Sequence, residues 1–227
     1  MSFNRWSDTY ESEIKKSAPL PIGDYSKFVV YKAEKICEII EKNLLSNERV
    51  KILDWGCGNG VLDKMLQDRG FQVAGIDVSP KMIDLAKRLN PGSEFQIFDG
   101  VSLPIDMESV DVCICVCTLQ HIAKPNRKQV FREMFKSIKR GGILIIYEHN
   151  RWNPLTRATV WRCPFENIQY VSVRELKKIV LDQPYKTEFS IKYHLSIPRQ
   201  GQVINSLDRL FENFPLGVQY TAIIKKL

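Results

Sequence analysis

The sequence predicts an α/β fold, a mostly parallel sheet with helices on both faces. From Val50 onward the short apolar runs KILD, FQVAGID, EFQIFD, VDVCICV and GILIIYE alternate with helical patterns at 60–69, 79–89 and 125–139. Strands that alternate with helices build βαβ units. Runs that are apolar at nearly every position suit strands buried on both faces. Glycines at alternate positions, Gly56, Gly58 and Gly60, follow the first run directly, at the end of the strand where open α/β sheets bind ligands.

The elements follow in order. Between Tyr25 and Leu45 the apolar residues Tyr25, Phe28, Val29, Ile36, Ile40 and Leu44 fall at helical spacing. Residues 1–47 therefore read as an N-terminal helical lid or cap, and residues 48–227 as one domain. Trp6, Tyr10, Tyr25 and Phe28 are placed to fold over a ligand cleft, with Tyr10 and Tyr25 as substrate contacts. The 125–139 helix buries Val130, Phe131, Met134, Phe135 and Ile138 and presents Arg127, Lys128, Arg132, Lys136 and Lys139 to water. After Glu148 the rhythm breaks into more than twenty irregular residues, HNRWNPLTRATVWRCPFENIQY. Connections of that length are usually functional, so residues 148–171 read as a substrate-facing insert. A helix at 172–181, a strand at 187–195, a short helix at 202–212 and a strand at 218–225 complete the chain. Their short connections allow an antiparallel strand at the sheet edge.

Composition bounds the function. With 227 residues, 44% hydrophobic and 26% charged, the chain can bury a full core, which excludes a disordered, collagen-like or disulfide-scaffold protein. No stretch of about 18 uncharged apolar residues is present to span a bilayer, and MSFNRWSDTYESEIKK lacks the apolar core of a secretion signal; the expected location is the cytoplasm. The net charge is +7, and residues 151–227 carry 12 Lys+Arg against 6 Asp+Glu. A uniformly basic chain would point to nucleic acid. A local excess fits an anionic small substrate and no DNA partner. Cys113, Cys115 and Cys117 alternate within one strand and lack zinc-site spacing, so they read as small side chains buried on one face, with no metal site.

The sharpest motif is Lys51-Ile-Leu-Asp54-Trp-Gly56-Cys57-Gly58-Asn-Gly60. A strand ends in an acid, and alternate glycines then let the backbone turn tightly with no side chain between it and a ligand. Leu62 and Asp63 stand where the dinucleotide fingerprint seeks its last glycine, so the loop is not a pyrophosphate cradle. Asp77 ends the second strand, suited to the two hydroxyls of a ribose. Asp99 ends the third, suited to an adenine amino group. Three acids at successive strand ends converge on one crevice.

ILDWGCGNG, GIDVSP, FDG and CTLQHI, in this order, resemble the class I S-adenosylmethionine-dependent methyltransferases over roughly residues 48–148. The resemblance implies a Rossmann-like seven-stranded sheet of order 3-2-1-4-5-7-6 with the last strand antiparallel. It implies S-adenosyl-L-methionine as cofactor, with Asp54, Gly56, Cys57 and Gly58 along its methionyl part. Asp77 and Val78 would lie at its ribose, Asp99, Gly100 and Val101 at its adenine, and Cys117 beside it. EHNRWNPLTR, WRCPFEN and FPLGVQY resemble a bacterial subgroup linked to cell-surface saccharide synthesis.

Methyl transfer to oxygen benefits from a general base. His121 and His149 follow the fourth and fifth strands, at the glycine-loop end of the sheet, and are the candidate bases; Glu148 would orient His149 or bond the substrate. Arg151, Arg157 and Arg162, with Trp152, lie in the insert, and arginine forks suit phosphate or carboxylate. The expected activity is O-methylation of a small anionic acceptor such as a nucleotide-linked sugar or a phosphoryl compound. An RNA methyltransferase is the alternative that the pI of about 9.1 favours, although no N/D-P-P-Y/F tetrapeptide follows the fourth strand. A cofactor-binding scaffold that activates a partner is a third reading, one that would predict an eroded cofactor loop.

Overall fold

The computed structural model describes residues 9, 12–13, 16, 26–44, 49–163, 168–195 and 212–227. Trp6, Tyr10, Tyr25 and most of the 202–212 segment lie outside the described residues.

Helix α1 (Ser26–Asn43) leads into strand β1 (Lys51–Trp55), helix α2 (Val61–Gln67), strand β2 (Gln72–Asp77), helix α3 (Pro80–Leu89) and strand β3 (Phe95–Ile97). Strand β4 (Val110–Val116), helix α4 (Arg127–Ser137), strand β5 (Ile138–His149) and helix α5 (Pro154–Arg162) follow, then helix α6 (Val173–Leu181), strand β6 (Thr187–His194) and strand β7 (Gln219–Lys226). The seven strands form one sheet of order β3-β2-β1-β4-β5-β7-β6. β1 to β5 pair in parallel, whereas β7 runs antiparallel to both β5 and β6. This is the order that the resemblance implies, with the last strand antiparallel and interior and β6 at the edge. The inner place suits the sequence, because β7 is buried at nearly every position while β6 alternates between half-buried and exposed residues.

Strand alternation divides the core into two layers. Leu53, Trp55, Cys113, Cys115, Leu144 and Ile146 face α4 and α6 through Phe131, Met134, Phe135 and Leu176. Ile52, Val112, Ile114, Ile143 and Ile145 face α1 and α2 through Ala33, Ile36, Ile40, Leu62 and Leu66. Each large apolar side chain so buried contributes about 1.5–3 kcal/mol. The α1 part of the predicted cap thus packs into the core.

Local capping sets the helix starts. Ser79 accepts from Met82 N ahead of Pro80, and Asn153 accepts from Leu155 N and Thr156 N ahead of Pro154, side chains and prolines placed where helices begin. The Asn-Pro pair gives the insert a helix that its lack of periodicity hid, since only Thr156 of α5 is buried.

Two further expectations are corrected. Arg127, expected on the wet face of its helix, is 1% exposed. It donates to Ile122 O, Gln169 O and Tyr170 O and pairs with Glu175 at 2.8 Å, because α4 begins under the segment that returns from α5 to α6. Cys117 leaves the face shared by Cys113 and Cys115. β4 ends at Val116, and the positive φ of 55° at Cys117 turns its thiol toward Lys32 of α1 at 3.5 Å and Gln219 at 3.4 Å. Among the described residues no helix is long and apolar enough to cross a membrane.

Candidate functional site

A cavity of about 390 Å³ opens at the carboxyl ends of β1, β2 and β4. All the residues that the sequence assigns to a cofactor line it, from Asp54 to Cys117, and so does His121. Glu148, His149, Arg151, Trp152, Arg157 and Arg162 do not. Tyr10 and Tyr25 lie outside the described residues.

The glycine loop is shaped from both sides. Gly56 has φ +85°, and a Cβ there would stand 2.3 Å from Thr118 of the β4 loop, so glycine lets the two loops touch. Gly58 has φ +55°, and a Cβ there would meet nothing within 4 Å; it faces open space on the cavity wall. The first glycine serves the packing of the chain, and the second leaves bare backbone for something else to approach.

Acids gather behind this loop. Asp54 is 2% exposed, its Oδ1 has no hydrogen-bond partner among the described residues, and burial together with Asp63 and Asp77 pushes its pKa well up. Among the described residues no other residue donates a hydrogen bond to either Asp63 oxygen, and burial lifts its pKa to about 7. Asp77 accepts from Ser79 N at 2.8 Å and Gly58 N at 3.0 Å; burial raises its pKa while these bonds oppose the rise. A cluster of buried carboxyls whose ionisation is disfavoured by burial and by one another suits a cationic ligand. Asp99 is exposed, and its Oδ1 accepts from Val101 N and Ser102 N, both at 2.7 Å, which lowers its pKa. That carboxylate closes a turn, and the Ser102 side chain adds a further bond to it.

Beyond the glycine loop Lys32 and His121 line the cavity. Lys32 lines the cavity with its ammonium 5.5 Å from the Tyr147 ring centroid. The pKa of His121 falls to about 4 through burial. His149 falls to about 3 through burial, with Lys32 and His121 adding repulsion. His149 Nδ1 lies 2.9 Å from Gln120 Oε1; the amide oxygen accepts, so Nδ1 carries the proton and Nε2 holds the lone pair. The orienting group is therefore Gln120 and not Glu148. Adjacent strand residues point to opposite faces, and Glu148 is fully buried on the other side, accepting from Gln120 N at 3.2 Å with burial lifting its pKa to about 7.

Sequence reasoning missed Lys32 and Gln120. Lys32 sits in a helix read for its apolar stripe, one residue before Ala33 of the core. Only the crossing of α1 over the ends of β4 and β5 brings it to the cavity. The three insert arginines form no clamp over the cavity: Arg151 lies 5.1 Å from the Trp152 ring, and Arg157 and Arg162 stand exposed on α5.

Fold and cleft together define a Rossmann-like α/β domain that takes its ligand at the carboxyl edge of the sheet. Residues 53–146 match the family model described as methyltransferase domain. A ubiquinone biosynthesis O-methyltransferase of Pseudomonas fluorescens is 31% identical over 156 residues, covering 66% of this chain and 60% of its own. A 2-methyl-6-phytyl-1,4-hydroquinone methyltransferase of Synechocystis is 33% identical over 104 residues, 44% of this chain and 32% of its own. The chain thus spans between about a third and three-fifths of these relatives. Among solved structures, a SAM-dependent methyltransferase of Thermotoga maritima described as a possible histamine N-methyltransferase has a TM-score of 0.70 at 19% identity, covering 99% of this chain and 98% of its own. That similarity is one of fold.

Proposed function

We propose that the protein is an S-adenosylmethionine-dependent O-methyltransferase acting on a small molecule with an ionisable hydroxyl. The single observation that carries this reading is the glycine loop, where the bare face of Gly58 fronts the cavity beside buried, cation-seeking Asp54 and ribose-competent Asp77. The donor supplies a methyl group already activated on a sulfonium, so the protein must align the acceptor and exclude water.

The residues of the chain divide that work. Gly56, Gly58 and Asp54 receive the cationic amino-acid end. Asp77 keeps a lone pair on each oxygen for the ribose hydroxyls, and Asp99 and Val101 flank the adenine. His121, neutral at ordinary pH and lining the cavity, takes the proton from the acceptor hydroxyl. Lys32 stabilises the negative charge that develops on that oxygen. His149, held by Gln120, stands behind His121 and adds no competing charge.

The relative named as a ubiquinone biosynthesis O-methyltransferase and the one named as a hydroquinone methyltransferase support a phenolic hydroxyl. The segments EHNRWNPLTR, WRCPFEN and FPLGVQY support a saccharide or phosphoryl-bearing acceptor instead, in which case Lys32 meets the anionic group. Calorimetry with S-adenosylmethionine and its demethylated product tests the cofactor reading. Both should bind, and Asp77→Ala should weaken binding about 30- to 1000-fold through the loss of charge-assisted bonds. Unchanged affinity in the variant defeats the assignment.

A further inference from the structure

The basic insert has a feature that the cavity does not use. Residues 149–163 contain three arginines, two tryptophans and no acid. Trp152 is 74% exposed and Trp161 85% exposed, and Leu155 is exposed between them in sequence. α5 has nine residues and buries only Thr156, whereas a helix this short is marginal without packing along a face. The tie to the body of the protein lies at its start. Asn153 donates to Leu216 O at 2.8 Å, Thr156 to Val218 O at 2.7 Å, and Asn150 to Pro215 O and Gly217 O. These bonds set the 213–218 loop beside the helix, and that loop exposes Phe214 and Leu216. Arg151, Arg157 and Arg162 are exposed around the same aromatic and aliphatic groups.

We propose that α5 and the 213–218 loop form a docking face for an anionic lipid surface. Tryptophan seeks the boundary between headgroups and acyl chains, and arginine beside it is drawn to anionic headgroups. Clustered apolar exposure on a folded protein marks an interaction site. The lack of any acid from 149 to 163 selects a negatively charged partner. Leu155, Phe214 and Leu216 favour a bilayer over a nucleic acid, whose bases reward flat rings and not aliphatic side chains. The face adjoins His149 at the end of β5 and Gln219 at the start of β7, and Gln219 in turn donates to Cys117 of the cavity lining at 3.4 Å. The proposal is independent of which acceptor is methylated.

Cosedimentation of the full chain with vesicles tests it. Equimolar phosphatidylglycerol and phosphatidylcholine should bind the protein, with a blue shift of tryptophan emission, and pure phosphatidylcholine should bind it at least about tenfold less. Arg157→Gln should weaken binding about fivefold, near the contribution of one basic residue at a charged surface. Trp152→Ser combined with Trp161→Ser should weaken it by about tenfold or more while leaving S-adenosylmethionine affinity unchanged, a check that the fold persists. Three results would overturn the proposal. One is a wild-type protein that ignores the anionic vesicles. Another is a set of variants that bind them as wild type does. The last is a tryptophan-dependent dimer, or tryptophan-dependent polyuridylate binding, in the absence of vesicle binding.

Discussion

Glu148→Gln tests the electrostatics of the core beside the cavity. Glu148 is fully buried, Oε1 accepts from Gln120 N, Oε2 has no partner among the described residues, and burial lifts its pKa from 4.5 to about 7. In the unfolded chain the group ionises near 4.5; in the folded chain it holds its proton to about 7. Between those values the folded state binds more protons, so unfolding free energy falls as pH rises, by up to about 1.4 kcal/mol per pH unit. Across the window the loss reaches about 3 kcal/mol, and it is complete above the folded pKa. Arg127 and the bond from Gln120 N favour the ionised form, and the rise to about 7 is what burial leaves against them. Glutamine keeps the acceptor for Gln120 N and never ionises. The variant should therefore melt near wild type at pH 4.5 and above it at pH 8, by up to about 6–12 °C for a chain of this length. Asp63, lifted to about 7 by the same burial, should contribute to a residual slope that Asp63→Asn reduces. Thermal unfolding followed by circular dichroism across this range is the assay. A variant that melts below wild type at pH 8, or that keeps the full slope, would refute a buried, proton-holding Glu148.

Three other outcomes are expected. Gly58→Ala should fold at a cost of about 1–2 kcal/mol for a left-handed alanine yet lose cofactor affinity, whereas Gly56→Ala, forced against Thr118, should lose stability first; calorimetry and melting on both variants separate the two. Arg127→Ala should cost about 2–4 kcal/mol because it leaves three carbonyls and the half-buried Glu175 without their donor, and denaturant titration that finds under 1 kcal/mol would contradict the anchoring role. If His121 takes the proton, His121→Ala should lower turnover by about 10²–10⁴. Since the imidazole titrates only near 4, wild-type turnover should show no histidine step between pH 5.5 and 8, and a steep step there would move the base elsewhere.

The sequence by itself determined the parallel half of the sheet and the residues gathered in the cavity at the strand ends. Both are local properties: apolar runs of strand length, three glycines that mark a loop, and acids that each end a strand. Once parallel strands lie side by side, their carboxyl ends converge without further instruction, so Asp54, Asp77 and Asp99 meet wherever the helices pack. The rest of the cavity and its surroundings were not legible in this way. Lys32 reaches the cavity because α1 crosses the sheet, Gln120 holds His149 because a single turn after β4 bends toward β5, and Cys117 changes face because one residue adopts a positive φ. Arg127 reads as a surface residue until the return from α5 covers it. Those arrangements depend on contacts between segments far apart in the chain, and only the tertiary structure decided them, because periodicity records which face of an element is apolar and not which polar group another element will set against it.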